Sequence, residues 1–170
     1  MARRYISYSD LRALKVYAQG PMCIVGYGNR GRRDDGVGPW VVERLNRLLP
    51  SCQGVRLLAR TQLEPDLLEE MGQAKALILL DASAVPLQGG ISWTRIHTEE
   101  ARAPFLIHSL NPASLLGLMG LMQQRPPATW LVSIQGGEFG LGEGLSRATE
   151  QRARRVTADL YKIVAGEERT

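Results

Sequence analysis

Apolar and polar residues form blocks along the chain that predict strands alternating with helices. Short apolar runs predict strands at residues 22–26, 55–60, 75–81, 91–96 and 129–134. Apolar residues at helical spacing predict helices at residues 9–18, 38–49, 65–71, 112–122 and 146–164. This order favours an α/β fold, a three-layer α/β/α sandwich. Its sheet would be mostly parallel with about five strands, of which one edge strand can run antiparallel.

Two strands end next to carboxylates. Residues 76–80 are apolar throughout, as expected for a parallel strand buried on both faces, and Asp81 follows directly. The strand at 22–26 leads into a polar, glycine-rich loop that contains Asp34 and Asp35. Ligands bind at the carboxyl ends of strands in open α/β sheets. This edge of the sheet is therefore the predicted functional site.

Length and composition narrow the class of protein. A chain of 170 residues with 44% hydrophobic and 22% charged residues fits one globular domain. No apolar run approaches the roughly 18 residues that a membrane helix needs. The arginines near the N-terminus have no apolar segment behind them, which argues against a signal peptide. We therefore predict a cytoplasmic protein without membrane contact.

Charge and cysteine content point to no further chemistry. The net charge of +4 comes from scattered arginines, and the small cluster Arg30, Arg32 and Arg33 lacks interleaved aromatic residues. Nucleic-acid binding is therefore not expected. Cys23 and Cys52 form no CxxC pattern, so the sequence predicts two reduced thiols rather than a zinc or redox site.

The glycine loop allows a dinucleotide-binding interpretation. Residues 26–31 match G-x-G-x-x-G, a pattern that binds a pyrophosphate at the start of a helix. Here the helical pattern begins only after Asp34 and Asp35, whose charges would repel a pyrophosphate. Arg60, at the end of the second strand, would suit a 2′-phosphate. An NADP-binding enzyme therefore remains an alternative.

A metal site is the second interpretation of the same edge. Asp35, Asp81 and His108 can meet there, and two carboxylates with one imidazole suit a divalent transition metal. From spacing alone a plainer interpretation is also open. Asp81 could cap a helix, and His108 could be a hydrogen-bonded loop residue.

Five segments in a fixed order resemble a known family. They are GYGN at 26–29 with DDGVG at 34–38, QL at 62–63 with Pro65 and Leu67, LLDA at 79–82, HSL at 108–110 with Leu116, and GLS at 144–146. Together they resemble the hydrogenase maturation endopeptidases, which trim the C-terminal extension from the large subunit of nickel–iron hydrogenases. The resemblance implies one domain, with a peptidase core at 22–164 and an N-terminal extension at 1–20.

The resemblance also implies a mechanism. Asp35, Asp81 and His108 match the family's metal ligands and catalytic residues. Nickel would be carried by the precursor of the large subunit and would act as the recognition signal, with other divalent ions as alternatives in vitro. Many members have Glu where this chain has Asp35, which is one methylene shorter. A non-catalytic chaperone that binds the same precursor is an alternative.

The remaining residues of the loop are expected to shape it. Gly28 and Gly36 allow tight turns, Asn29 tolerates left-handed backbone, and Asp34 can accept backbone N–H bonds. These four residues are the predicted loop-shaping and substrate-binding positions.

Overall fold

Five strands form one sheet in the part of the chain that the computed structural model describes, which is residues 20–49, 54–71, 73–97, 110–122 and 125–166. They are β1 (Met22–Tyr27), β2 (Val55–Arg60), β3 (Ala76–Ser83), β4 (Ile91–Ile96) and β5 (Ala128–Gln135). The strand order is β2-β1-β3-β5-β4. Strands β2, β1, β3 and β5 are parallel, and β4 pairs with β5 in the antiparallel direction. The predicted mostly parallel sheet with an antiparallel edge strand is confirmed.

Helices cover both faces of this sheet. They are α1 (Val37–Leu48), α2 (Leu67–Met71), α3 (Pro112–Leu121) and α4 (Arg147–Ala165), with short 3-10 helices at Arg33–Gly36 and Gln88–Gly90. Helices α1 and α4 pack on one face, and α2 and α3 pack on the other. The three-layer α/β/α sandwich is thereby confirmed. The helix predicted at 9–18 lies outside the described residues.

The core is split by the sheet into two apolar layers. Along β1 and β3 successive side chains point to opposite faces. Ile24 and Ile78 are buried against α1 and α4, whereas Val25 and Leu79 are buried against α2 and α3. Both strands are thus covered on both faces, which explains why residues 76–80 are apolar throughout. No helix within the described ranges is long and apolar enough to span a membrane.

Side-chain caps fix the starts of two helices. The hydroxyl oxygen of Ser146 accepts a bond from the backbone N–H of Thr149 at the start of α4. The side-chain oxygen of Asn111 accepts a bond of 2.8 Å from the N–H of Ser114 at the start of α3. Such caps satisfy N–H groups that have no partner inside the helix.

Two glycines let the start of α1 lie directly on the sheet. A Cβ atom on Gly38 would lie 2.5 Å from the backbone oxygen of Leu80 and 2.6 Å from that of Tyr27. A Cβ atom on Gly26 would lie 2.1 Å from the backbone oxygen of Gly38. The backbones of α1, β1 and β3 are therefore in contact at this point. This contact places the 3-10 helix Arg33–Gly36 at the carboxyl ends of β1 and β3.

We expect Gly38→Ala to lower the free energy of unfolding by at least about 2 kcal/mol, because the added methyl group meets backbone atoms that cannot move aside. The matched control is Gly120→Ala in α3, where nothing lies within 4 Å of the added Cβ. There, the better helix propensity of alanine should stabilise the protein by about 0.5–1 kcal/mol. Urea denaturation measures both changes. Equal stability of the two variants would show that the contact does not constrain the fold.

Candidate active site

The loop between β1 and the 3-10 helix turns back on itself. Gly28 has φ 139°, and a Cβ atom there would lie 1.9 Å from the backbone oxygen of Asp35. The N–H of Asn29 donates to the Asp35 carboxylate at 2.8 Å, and the Asn29 side-chain oxygen accepts from the N–H of Gly31 at 2.9 Å. These contacts hold the Asp35 carboxylate against its own loop, half-buried.

The left-handed backbone expected at Asn29 occurs elsewhere in the loop. Among the described residues other than glycine, Arg33 alone has a positive φ, at 50°. It lies at the start of the 3-10 helix, where the chain reverses. Gly36 is buried, and a Cβ atom there would lie 3.0 Å from the Cα of Arg30. The tight turn therefore depends on Arg33 and Gly36, while Asn29 shapes the loop through hydrogen bonds.

Asp34 is fully buried and accepts five hydrogen bonds. The backbone N–H groups of Gly137, Glu138 and Ser146 donate at 2.8, 2.9 and 2.6 Å. The hydroxyl groups of Ser146 and Thr149 donate at 2.8 and 2.9 Å. Burial alone would raise the pKa of Asp34, but these hydrogen bonds outweigh it and lower the pKa to about 2. A buried carboxylate thus ties the glycine loop to the start of α4.

Backbone hydrogen bonds reinforce this link. The N–H of Arg33 donates to the oxygen of Gly142, and the N–H of Gly142 donates to the oxygen of Gly31, each at 2.9 Å. The N–H of Asp34 donates to the oxygen of Glu138, also at 2.9 Å. The glycine-rich connection between β5 and α4 is therefore held against the loop after β1.

The arginines of the loop are engaged with neighbouring groups. Arg30 pairs with Glu43 at 2.5 Å, and Arg33 pairs with Glu138 at 3.1 Å. The Arg32 guanidinium donates to the backbone oxygen of Phe139. All three are exposed, so the pairs contribute little to stability. They do, however, neutralise much of the positive charge that the sequence places beside the site.

Asp81 lies at the same sheet edge, on the face covered by α2 and α3. Its half-buried carboxylate accepts hydrogen bonds from the Tyr27 hydroxyl and the backbone N–H of Ala82. Burial and, to a smaller extent, the nearby charge of Asp35 together raise the pKa of Asp81 to about 6, against the opposite effect of the two hydrogen bonds. The 3-10 helix that carries Asp35 contacts β3, so Asp35 lies near enough to Asp81 for their charges to interact.

The structure thus brings two of the three predicted site residues together. Asp35 and Asp81 meet at the carboxyl ends of β1 and β3, and His108 lies outside the described residues. Within those residues, no group of three His, Cys, Asp or Glu side chains could hold a metal ion. The complete ligand set remains a prediction.

Other candidate chemistry is disfavoured by the structure. Cys23 is buried, and burial raises the pKa of its thiol to about 12, so it is unsuited to act as a nucleophile. The Arg60 guanidinium is bonded to the Glu70 carboxylate rather than open to a 2′-phosphate. Helix α1 begins at Val37, after both carboxylates, and not within the glycines. The geometry therefore lacks the helix start of a dinucleotide fingerprint.

Sequence reasoning missed a row of polar residues that crosses the sheet. Arg60 pairs in register with Tyr27, and Asp81 pairs with Ser133, which pairs with Ser92. Gly26 of β1 pairs with Leu80 of β3, so the residues that follow them, Tyr27 and Asp81, lie side by side and point to the same face. Period-two alternation assigns each residue to a face. Only the strand order shows that the five residues form one row.

The fold and the site geometry define an α/β sandwich whose carboxylates meet at the carboxyl ends of adjacent parallel strands. The chain is similar in fold to the NiFe hydrogenase maturation protease HycI from Thermococcus kodakarensis KOD1 (TM-score 0.69, 21% identity, 90% of this chain and 99% of that one). It is similar also to the hydrogenase maturating endopeptidase HybD from E. coli (TM-score 0.69, 22% identity, 85% and 92%).

A third solved structure of this kind is the hydrogenase 2 maturation peptidase from Thaumarchaeota archaeon SCGC_AB-539-E09 (TM-score 0.59, 22% identity, 86% and 99%). No family model matches the chain, and no curated protein matches it at a significant level. The fold expected from the sequence resemblance is therefore established through the solved structures.

We expect Asp34→Asn to lower the free energy of unfolding by about 2 kcal/mol at pH 7. The amide accepts fewer of these hydrogen bonds, and its own NH2 group would face the N–H and O–H donors that surround it. The folded-state pKa of Asp34 is about 2, below its ordinary 3.8. The contribution of the carboxylate is thus complete well above pH 4 and is lost as the pH falls towards 2.

Urea denaturation from pH 7 to pH 3 tests this dependence. The control is Asp66→Asn, which changes an exposed residue directly before α2. The gap between wild type and Asp34→Asn should narrow below pH 4, while the control should follow wild type throughout. A gap that stays constant over this range would contradict the assignment.

The protein should gain stability from Asp81→Asn at neutral pH. The folded-state pKa of Asp81, about 6, lies above its ordinary 3.8, so the ionised carboxylate disfavours the fold. That cost is absent below pH 4, grows as the pH rises to 6 and is complete above it. We expect a gain of about 1–3 kcal/mol at pH 7 and none at pH 4. Parallel stability curves for wild type and variant between pH 4 and pH 7 would refute this expectation.

Proposed function

We propose that the chain is a hydrogenase maturation endopeptidase that removes the C-terminal extension from the precursor of a nickel–iron hydrogenase large subunit. One observation carries the proposal: Asp35 and Asp81 lie at the same sheet edge in a chain that shares the fold of HycI and HybD over nearly its whole core. Family membership, activity and partner are all part of this proposal.

Nickel in the precursor is the recognition signal that we infer. Asp35 and Asp81 carry like charges at close range, and this repulsion contributes to the raised pKa of Asp81. A divalent cation brought by the substrate would relieve the repulsion and accept oxygen ligands from both carboxylates. His108 would add the imidazole. A precursor without nickel offers nothing to offset the repulsion, so the enzyme would distinguish finished from unfinished active sites.

Cleavage in this proposal uses water and no covalent enzyme intermediate. The water oxygen attacks the scissile carbonyl carbon, the C–N bond breaks, and the leaving amine takes a proton. Nickel in the precursor would polarise the carbonyl or the water. Asp35 or Asp81 would accept the proton of the attacking water as general base. The burial of Cys23 agrees with the absence of a thiol nucleophile from this scheme.

The decisive measurement is the intact mass of the large-subunit precursor before and after incubation with the protein. Nickel-loaded and nickel-free precursors are compared. We expect loss of a C-terminal peptide from the loaded form alone. Trimming of both forms would support the proposed peptidase activity and would contradict nickel as the recognition signal. Stable binding to a competent precursor without any change in mass would refute the peptidase and favour a chaperone.

Variants test the site assignment in the same assay. Trimming should be slowed by more than about 100-fold in each of Asp35→Asn, Asp81→Asn and His108→Ala. Loss of a direct metal ligand should reduce the rate by more than the roughly 10- to 100-fold typical of residues that only hydrogen bond to a ligand. The control variant Asp66→Asn changes an exposed carboxylate directly before α2 and should trim the precursor at the wild-type rate. Circular dichroism confirms that each variant is folded. Wild-type rates in all three site variants would overturn the assignment.

A further inference from the structure

Tyr27 is held by contacts of both its backbone and its ring. It is the last residue of β1, and its backbone lies against Gly38 at the start of α1. The next residue, Gly28, donates its N–H to the backbone oxygen of Arg60 at 3.1 Å. The half-buried ring packs against the apolar layer beneath α2 and α3. Both the backbone and the ring of Tyr27 are therefore fixed.

The fixed ring presents its hydroxyl group to Asp81. Gly26 and Leu80 are paired in register, so the side chains of Tyr27 and Asp81 follow side by side on the same face. The hydroxyl hydrogen bonds to the Asp81 carboxylate. A phenol is protonated at neutral pH, so the Tyr27 hydroxyl is the donor and the Asp81 carboxylate is the acceptor.

A carboxylate that acts at a metal presented by another protein adopts the productive geometry more often if it is aimed in advance. Free rotation about its side-chain bonds would spread the two oxygens over several orientations, of which only some serve the chemical step once the precursor is bound. Two donors act on Asp81, one from the Ala82 backbone and one from Tyr27. The Ala82 N–H is part of the strand itself, so the Tyr27 hydroxyl is the side-chain contribution.

We propose that Tyr27 is a positioning residue, whose hydroxyl aims the Asp81 carboxylate towards the metal-bearing end of the substrate. This inference rests on the proposed function. Tyr27 touches Asp81 and not the reacting atoms, so its effect should appear in the rate of the chemical step rather than in affinity for the precursor. Outer partners of this kind typically contribute 10- to 100-fold.

The test compares Tyr27→Phe with wild type under single-turnover conditions, with the nickel-loaded precursor as substrate. The variant keeps the ring and removes only the hydroxyl. The matched control is Tyr161→Phe in α4, a half-buried tyrosine that packs on the opposite face of the sheet. We expect a roughly 10-fold lower rate constant for Tyr27→Phe at saturating enzyme, an unchanged Kd for the precursor, and no effect of Tyr161→Phe.

Two results would overturn the positioning role. One is a wild-type rate constant in Tyr27→Phe. The other is a loss of rate that follows from unfolding at the assay temperature, seen as a lowered thermal midpoint, which would make the hydroxyl a stabilising group only.

A second readout does not require trimming. The carboxyl ¹³C resonance of Asp81, at a fixed pH above 7 and without nickel, should move in Tyr27→Phe and stay in place in Tyr161→Phe. An unmoved resonance would refute the hydrogen bond on which the inference rests. Failure of the wild-type protein to trim, with the resonance moved as expected, would reject the proposed function while retaining Tyr27 as the residue that orients Asp81.

Discussion

The buried carboxylate of Asp34 is the interaction on which the site depends. Its five donors come from residues 103 to 115 positions further along the chain, in the connection after β5 and the first turn of α4. A charge so deeply buried is tolerated because both carboxylate oxygens accept hydrogen bonds. The 3-10 helix that carries Asp34 is thereby fixed, and with it the direction of the neighbouring Asp35. With about three residues per turn, adjacent side chains diverge by roughly 120°, so Asp34 and Asp35 face different surroundings.

Asp34 and Asp81 show how surroundings divide two carboxylates between stability and chemistry. The hydrogen bonds to Asp34 favour its ionised form by more than burial disfavours it, so the pKa of Asp34 falls and its charge stabilises the fold. Asp81 is only half-buried but has fewer donors and a like charge nearby, so its pKa rises and its charge disfavours the fold. Residues that destabilise the fold in this way cluster at functional sites. The opposite shifts therefore separate the structural carboxylate from the candidate active-site carboxylate, although both lie near the same loop.

The sequence predicted those features that depend on local pattern. The apolar run before Asp81 and the glycine loop after β1 indicated two strand ends, and the parallel-sheet rule brought Asp35 and Asp81 together. The partners of Asp34 could not be predicted, because hydrogen bonds across more than a hundred residues leave no local pattern. Tyr27 was missed for a related reason. Its face follows from alternation with Cys23 and Val25, but its place beside Asp81 requires that β1 pair with β3.

The same long-range contacts imply that the site is complete only when the whole sheet has formed. Asp35 stands on a loop whose shape is fixed from two directions. The glycine contact between Gly26 and Gly38 anchors it to β1 and β3, and Asp34 anchors it to the start of α4. The first anchor holds the end of the loop against the strand ends, and the second holds the 3-10 helix against the start of α4. Asp81 is oriented separately, by the strand and by Tyr27. Two carboxylates that repel each other are thus held near one another by independent parts of the fold, so the stability of the fold offsets their electrostatic repulsion.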